Sequence, residues 1–130
     1  NTYRVGPWNC LNFVKEKRNL EVVDKYEIDN ITLIHGNKLI DVKTKIIIIG
    51  HEHPAVTIRD EVRNETYKCF LKGKYKSKIL IVLPSFSLVK QGYDILKFDS
   101  HSPYIHNIGG FNIFVVEDKI YNFGKVKDLF

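Results

Sequence analysis

Methionine is missing from all 130 residues and cysteine occurs only twice. The lack of Met marks a chain that is processed or belongs to something longer. Cys10 and Cys69 fit neither a disulfide framework nor a paired-thiolate zinc site, and read as reduced thiols of a cytoplasmic protein. Long apolar runs are also lacking. The longest, residues 46–49 and 79–83, have the length of strands, so no membrane span is expected. Asn1-Thr2-Tyr3-Arg4 carries no apolar stretch of the secretory kind, which again points to the cytoplasm. No repeat, low-complexity tract or internal boundary is visible, so residues 1–130 are expected to form a single domain or part of one.

What is present suits a soluble globular chain with a real core: 44% of residues are hydrophobic and 27% charged. Twenty Lys and Arg against fifteen Asp and Glu leave a net charge of +5, which favours anionic partners. Leu11, Phe13 and Val14 among charges predict a surface helix over 11–19. Short strands are predicted at 20–23, 26–28 and 31–34, with turns at Asp24-Lys25 and Asp29-Asn30. Four consecutive isoleucines, Ile46 to Ile49, leave no polar face and predict a strand covered on both sides, ended by Gly50. Val56 and Ile58 alternate with Thr57 and Arg59 as a half-exposed strand. Strands at 66–75 and 78–83 follow, with Gly73 marking a turn between them. Residues 84–110 hold two of the four prolines and three of the eight glycines, a long connection of the kind that is often functional. A hairpin, 112–116 with 120–123, closes the chain.

The five histidines are unevenly placed. His35 ends a strand and precedes Gly36. His51 and His53 flank Glu52 in Gly50-His51-Glu52-His53-Pro54, directly after the isoleucine strand. On extended backbone, residues i and i+2 point to one side, so the two imidazoles are expected to converge beyond the strand end. That is where open α/β sheets place their ligands. Neutral imidazole suits Zn, Mn, Fe or Ni, and no thiolate in these motifs biases the choice. The alternative is a polar turn that merely closes a strand.

Gly-His-Glu-His-Pro at 50–54, with Leu33-Ile34-His35-Gly36 before it, resembles the last two metal-ligand motifs of calcineurin-like metallophosphoesterases. The resemblance is to the archaeal branch related to the nuclease subunit of the double-strand-break repair complex, and to bacterial DNA-ligase-associated phosphoesterases. It extends to Tyr26-Glu27-Ile28, Leu83-Pro84-Ser85-Phe86, Gly92, Asp94, Ser102-Pro103 and Phe123-Gly124-Lys125, and so covers nearly the whole chain in order. It implies a strand-rich α/β fold, the C-terminal half of a four-layer α/β/β/α sandwich, and a hydrolase acting on phosphate mono- or diesters. It also implies divalent metal ions held by His35, His51 and His53. Glu52, Asn37, Ser85 and Asp94 are candidates for supporting or substrate contacts.

The departures from the family pattern are as informative. Nothing ahead of the histidine motifs supplies the family's N-terminal Asp-x-His or its Gly-Asp-x-x-Asp, and Pro7 and Trp8 follow Gly6 where the family has its metal-binding Asn and its His. Two divalent cations bring about four positive charges, and neutral imidazoles cancel none of them. As this chain stands, the site is therefore expected to be incomplete. A second class of function follows: a non-catalytic remnant or half-domain that self-associates or pairs with a separately encoded N-terminal half. A third rests on Lys68, Lys72, Lys74, Lys76 and Lys78 with Tyr67, Phe70 and Tyr75, a basic β-module for nucleic acid. Protection of an edge strand by lysine accounts for the same residues and is preferred. His101 and His106 read as solvated loop histidines, and Ser85 and Asp94 are also ordinary turn formers.

Overall fold

A computed structural model describes residues 2–5, 20–97 and 102–129. The expected helix over 11–19, the Gly6-Pro7-Trp8-Asn9 segment, Cys10 and His101 all lie outside the described residues. Within them the chain is strand-rich: β1 (Thr2–Val5), β2 (Leu20–Val23), β3 (Lys25–Ile28), β4 (Ile31–Ile34), β5 (Ile46–Ile49), β6 (Pro54–Arg59), β7 (Asn64–Tyr75), β8 (Lys78–Val82), β9 (Tyr93–Asp94), β10 (Asn112–Val116) and β11 (Ile120–Lys125). Two short 3₁₀ turns, Ile108–Gly110 and Val126–Leu129, are the helical pieces among the described residues. No helix among them is long and apolar enough to cross a membrane.

β1 and β2 form a separate parallel pair, with Thr2 opposite Leu20. The main sheet is mixed and runs β11-β10-β7-β8-β5-β4-β3, with β6 attached to β7 and β9 attached to β6. β4, β5 and β8 are parallel to one another, and the other pairs in that path are antiparallel. The register sets the faces. Thr32 lies opposite Ile47, Ile47 opposite Leu80, and Ile49 opposite Val82, so alternate residues of neighbouring strands share one buried face. Cys69 and Leu71 of β7 and Ile113 and Val115 of β10 continue it.

The segment between β8 and β10, predicted as a functional loop, covers that face. Its Ile95, Tyr104, Ile105 and Phe111 pack into the core with Val126. Full burial of each such side chain is worth roughly 1.5–3 kcal/mol, so irregular chain here takes the place of a covering helix. Tyr104 is fully buried, and its hydroxyl accepts the Ile40 N–H at 2.8 Å. Cys69 is fully buried as well, and burial, helped by the Asp94 charge, pushes its thiol up to about 12. It is a packing residue.

Three expectations from patterning are corrected. The isoleucine strand is sealed on one side only: Ile47 and Ile49 are buried while Ile46 and Ile48 are half-buried. Their face continues through Ile79 and Ile28, which are 38% and 49% exposed. Gly73 is not a turn residue. It lies inside β7, and the turn falls at Lys76-Ser77, where Lys76 adopts φ 54°. Glycine is needed in the strand because a Cβ there would sit 2.5 Å from the Phe111 ring. Finally, β7 is not an edge strand, since β8 flanks one side and β10 the other. Lys72 and Lys74 stand exposed beside Ile81 and Ile79 on the outer face, and at Lys72 the strand is paired on both sides, with no edge to protect.

Candidate functional site

Three adjacent parallel strands end together. The ladder runs one residue beyond them: the Gly50 N–H donates to the His35 carbonyl at 3.0 Å, and the Leu83 N–H donates to the Ile49 carbonyl at 2.8 Å. The segments leaving β4, β5 and β8 are therefore gathered at one end of the sheet, the carboxyl end of parallel strands. Gly36, at φ 101°, lets the chain leave β4 against β5, because a Cβ there would lie 2.8 Å from Ile49 Cβ. Ser102 Oγ donates to the Gly36 carbonyl at 2.6 Å and ties the long connection to the same corner.

At this corner His35 Nε2 and His51 Nδ1 lie 3.1 Å apart, with ring centroids separated by 5.0 Å and planes at 72°. The convergence does not arise as the sequence suggested. His51 and His53 both have left-handed backbone, at φ 66° and 49°, and the Glu52 N–H donates to the Gly50 carbonyl at 2.7 Å. The segment turns instead of extending, so the i, i+2 rule does not apply to it. His51 meets His35 across two strands. Left-handed backbone costs an L-residue about 1–2 kcal/mol. Two such residues in succession around Glu52 make this the place where the fold concentrates its backbone strain.

Glu52 is buried, at 2% exposure. No buried side-chain nitrogen or oxygen among the described residues lacks a hydrogen-bond partner. His53 is half-buried, and its carbonyl accepts the Tyr93 N–H at 2.8 Å. Desolvation lowers its basicity first, then the charges of Lys90 and His51, with Lys68 adding to them and Glu52 opposing. His53 thus favours its neutral form. A depressed folded-state value means that its contribution to stability is complete above the ordinary 6.5 and is lost as pH falls through the lowered midpoint. Lys90→Ala should raise the His53 midpoint in metal-free protein, read from imidazole C2-proton shifts. An unmoved midpoint would show that the lysine does not reach the site.

The remaining candidates are placed as follows. Asn37 is exposed in the bend after Gly36. Ser85 is buried; its Oγ accepts the Ser87 N–H at 3.2 Å and its carbonyl accepts from Lys68 Nζ at 2.9 Å. Asp94 in β9 accepts the Leu96 N–H at 3.0 Å. His106 is exposed and stacks on Tyr75, with centroids 5.7 Å apart. Lys68, read from the sequence only as one of a run of basic residues, braces the connection leaving β8, and nothing in its local sequence signals that role.

A solved nuclease shares this fold. The crystal structure of Pseudomonas putida nuclease MPE is similar with a TM-score of 0.59 at 16% identity, over 92% of this chain and 52% of that one. The chain therefore spans about half the length of that protein. No protein-family description and no curated protein matches the sequence.

A divalent ion can be tested against the residues present. Metal–imidazole bonds of about 2.0–2.1 Å at a right angle or slightly wider place two nitrogens roughly 3 Å apart. The 3.1 Å between His35 and His51 fits a pair of adjacent ligands. A third donor is not assembled: no group of three or more His, Cys, Asp and Glu side chains among the described residues could hold a metal ion. The described residues supply two donors and fall short of a complete site.

Proposed function

We propose that this chain is the histidine-bearing half of a phosphoester-hydrolysing domain of the calcineurin-like kind, the C-terminal part of a four-layer sandwich. The observation that carries the reading is the His35–His51 pair, 3.1 Å apart at the shared end of parallel strands in a nuclease-like fold. His35 and His51 would hold one divalent ion, Mn, Zn, Fe or Ni, with His53 kept neutral to serve a second. A bound ion would polarise the phosphoryl oxygens and activate water. The work of this chain is to orient the two imidazoles through the Gly36 and Gly50 backbone. It also sets acidic Glu52 and cationic Lys68 and Lys90 within electrostatic reach of His53, where a phosphate ester would approach. The remaining ligands, carboxylates by charge balance, would come from a further polypeptide segment.

Mn²⁺ titration by calorimetry, paired with hydrolysis of a chromogenic phosphate diester, tests this. Loss of an outer partner of a metal ligand costs about 10–100-fold in affinity, so His35→Ala and His51→Ala should each cost at least that. Unchanged Mn²⁺ affinity in both variants would remove the reading.

A second reading, a half-domain acting by association, is favoured by two observations. The β1–β2 pair is parallel and stands apart from the main sheet, whereas parallel strands occur almost entirely within larger covered sheets. The outer face carrying Ile28, Ile46, Ile48 and Ile79 is also incompletely covered. Mn²⁺ binding without turnover, together with concentration-dependent self-association on sizing chromatography, would favour it.

A further inference from the structure

β10 pairs with β7 only as far as Val115 opposite Cys69, whereas β6 accompanies β7 from Lys68 back to Asn64. The β6–β7 and β10–β11 hairpins therefore part beyond Cys69, and a cleft of about 380 Å³ opens between them. No described histidine lines it. Its apolar lining is largely aromatic: Tyr67, Tyr121 and Phe123, with Ile58 and buried Val115. Ile58, Tyr121 and Phe123 remain 36%, 37% and 38% exposed, so this wall is left open to a ligand. Asp60, Glu65 and Glu117 supply negative charge, and Arg63 is the single cation among the described lining residues. Arg63 Nη1 is already engaged by Glu65 Oε1 at 3.3 Å. Asp60 is fixed in place: its Oδ1 accepts the Val62 and Arg63 N–H groups at 2.8 Å, and these bonds hold its carboxyl below the usual range. Tyr67 donates to Glu65, and Tyr121 to Asp118 at 2.8 Å. Those bonds first, then burial and nearby carboxylate charge, raise both hydroxyls above their ordinary value, and Glu117 acts on both. One carboxylate thus lies within electrostatic reach of aromatic residues from both hairpins.

The sign of the cleft opposes that of the chain, which carries +5. A phosphate ester is repelled by such a lining, so the cleft does not extend the proposed hydrolytic site. Aromatic faces flanked by carboxylates are what an organic cation requires. The chain itself provides an instance: Lys119 Nζ, which is not among the lining groups, stands 5.3 Å from the Tyr121 ring centroid. A bare metal ion would leave the rings and Ile58 unused. The volume lies at the lower end of the roughly 300–1,000 Å³ typical of small-molecule sites. Carboxylates set among apolar surface match ammonium groups set among methylenes.

We propose that this cleft binds an aliphatic polyamine, with its ammonium groups against Asp60, Glu117 and the Tyr121 ring and its methylenes against Ile58 and Phe123. Binding here needs neither a metal ion nor hydrolysis. Calorimetric titration with spermidine, in chelator and at low salt, should give one saturable site per chain. Tyr121→Ala should weaken binding about fivefold, and Tyr121→Phe, which keeps the ring, should restore it. Glu117→Gln should weaken it about threefold. Both side chains are exposed, so unchanged circular dichroism is expected for these variants. Equimolar Mg²⁺ should leave spermidine bound. His51→Ala should bind spermidine as the parent does, which separates this result from that of the Mn²⁺ titration. Four results overturn the proposal: no saturable binding, equal affinity of Tyr121→Ala and parent, displacement by equimolar Mg²⁺, or tighter binding of a terminally blocked trilysine peptide. The last would make the cleft a protein-docking surface instead.

Discussion

Gly92→Ala should destabilise the protein by about 3 kcal/mol or more and disturb the candidate site with it. Gly92 adopts φ 110°, outside the range that L-residues tolerate, and an added Cβ would stand 2.3 Å from the His53 carbonyl oxygen. That oxygen cannot yield cheaply. It is backbone, it already accepts the Tyr93 N–H, and it belongs to the left-handed turn that sets His51 against His35. Gly124→Ala is the matched control. Gly124 also has positive φ, 79°, but a Cβ there meets nothing within 4 Å. It should lose only the backbone term of about 1–2 kcal/mol. Urea unfolding of both variants measures the difference, and equal midpoints would mean that the His53 contact exerts no constraint. The histidine C2-proton shifts should change in Gly92→Ala and stay fixed in Gly124→Ala.

Gly73→Ala should cost about 2–3 kcal/mol, because the new methyl would meet the Phe111 ring at 2.5 Å and that ring is buried in the core. Phe111→Ala should cost about 3–5 kcal/mol through the cavity it opens. The double variant distinguishes crowding from a general intolerance of β7. With the ring gone, alanine in a strand interior is no worse than glycine, and its methyl fills part of the void. Gly73→Ala should therefore be near neutral in the Phe111→Ala background, a coupling of about 2 kcal/mol. Strict additivity of the two losses would show that some other contact holds position 73.

Local patterning carried much of the fold. The strands at 20–23, 31–34, 46–49 and 112–116 lie where period-two alternation and β-branched runs placed them, because side-chain direction along a strand follows from its pleat alone. The hairpin turn at Asp29-Asn30 likewise needs only residues that tolerate left-handed backbone, and Asp29 adopts φ 51°. Gly73 misled because a glycine in a strand and a glycine in a turn look alike until the ring that requires the missing Cβ is known. The lysines of β7 misled similarly: edge or interior is a property of strand order, which is set by pairing over long sequence separations.

The candidate site divides along the same line. Its residue types and its position after a buried strand were written in Leu33-Ile34-His35-Gly36 and Gly50-His51-Glu52-His53, and a strand end of that kind is a local matter. Which imidazoles meet is not local. Parallel pairing of β4 with β5 brings His35 beside His51, and left-handed backbone at His51 and His53 turns the segment instead of extending it. The anchoring of residues 84–92 to Ile49 and His53 is equally a product of three dimensions. Periodicity reports how each residue relates to its own strand, and the distances between strand ends depend on the register of a sheet that no single segment encodes.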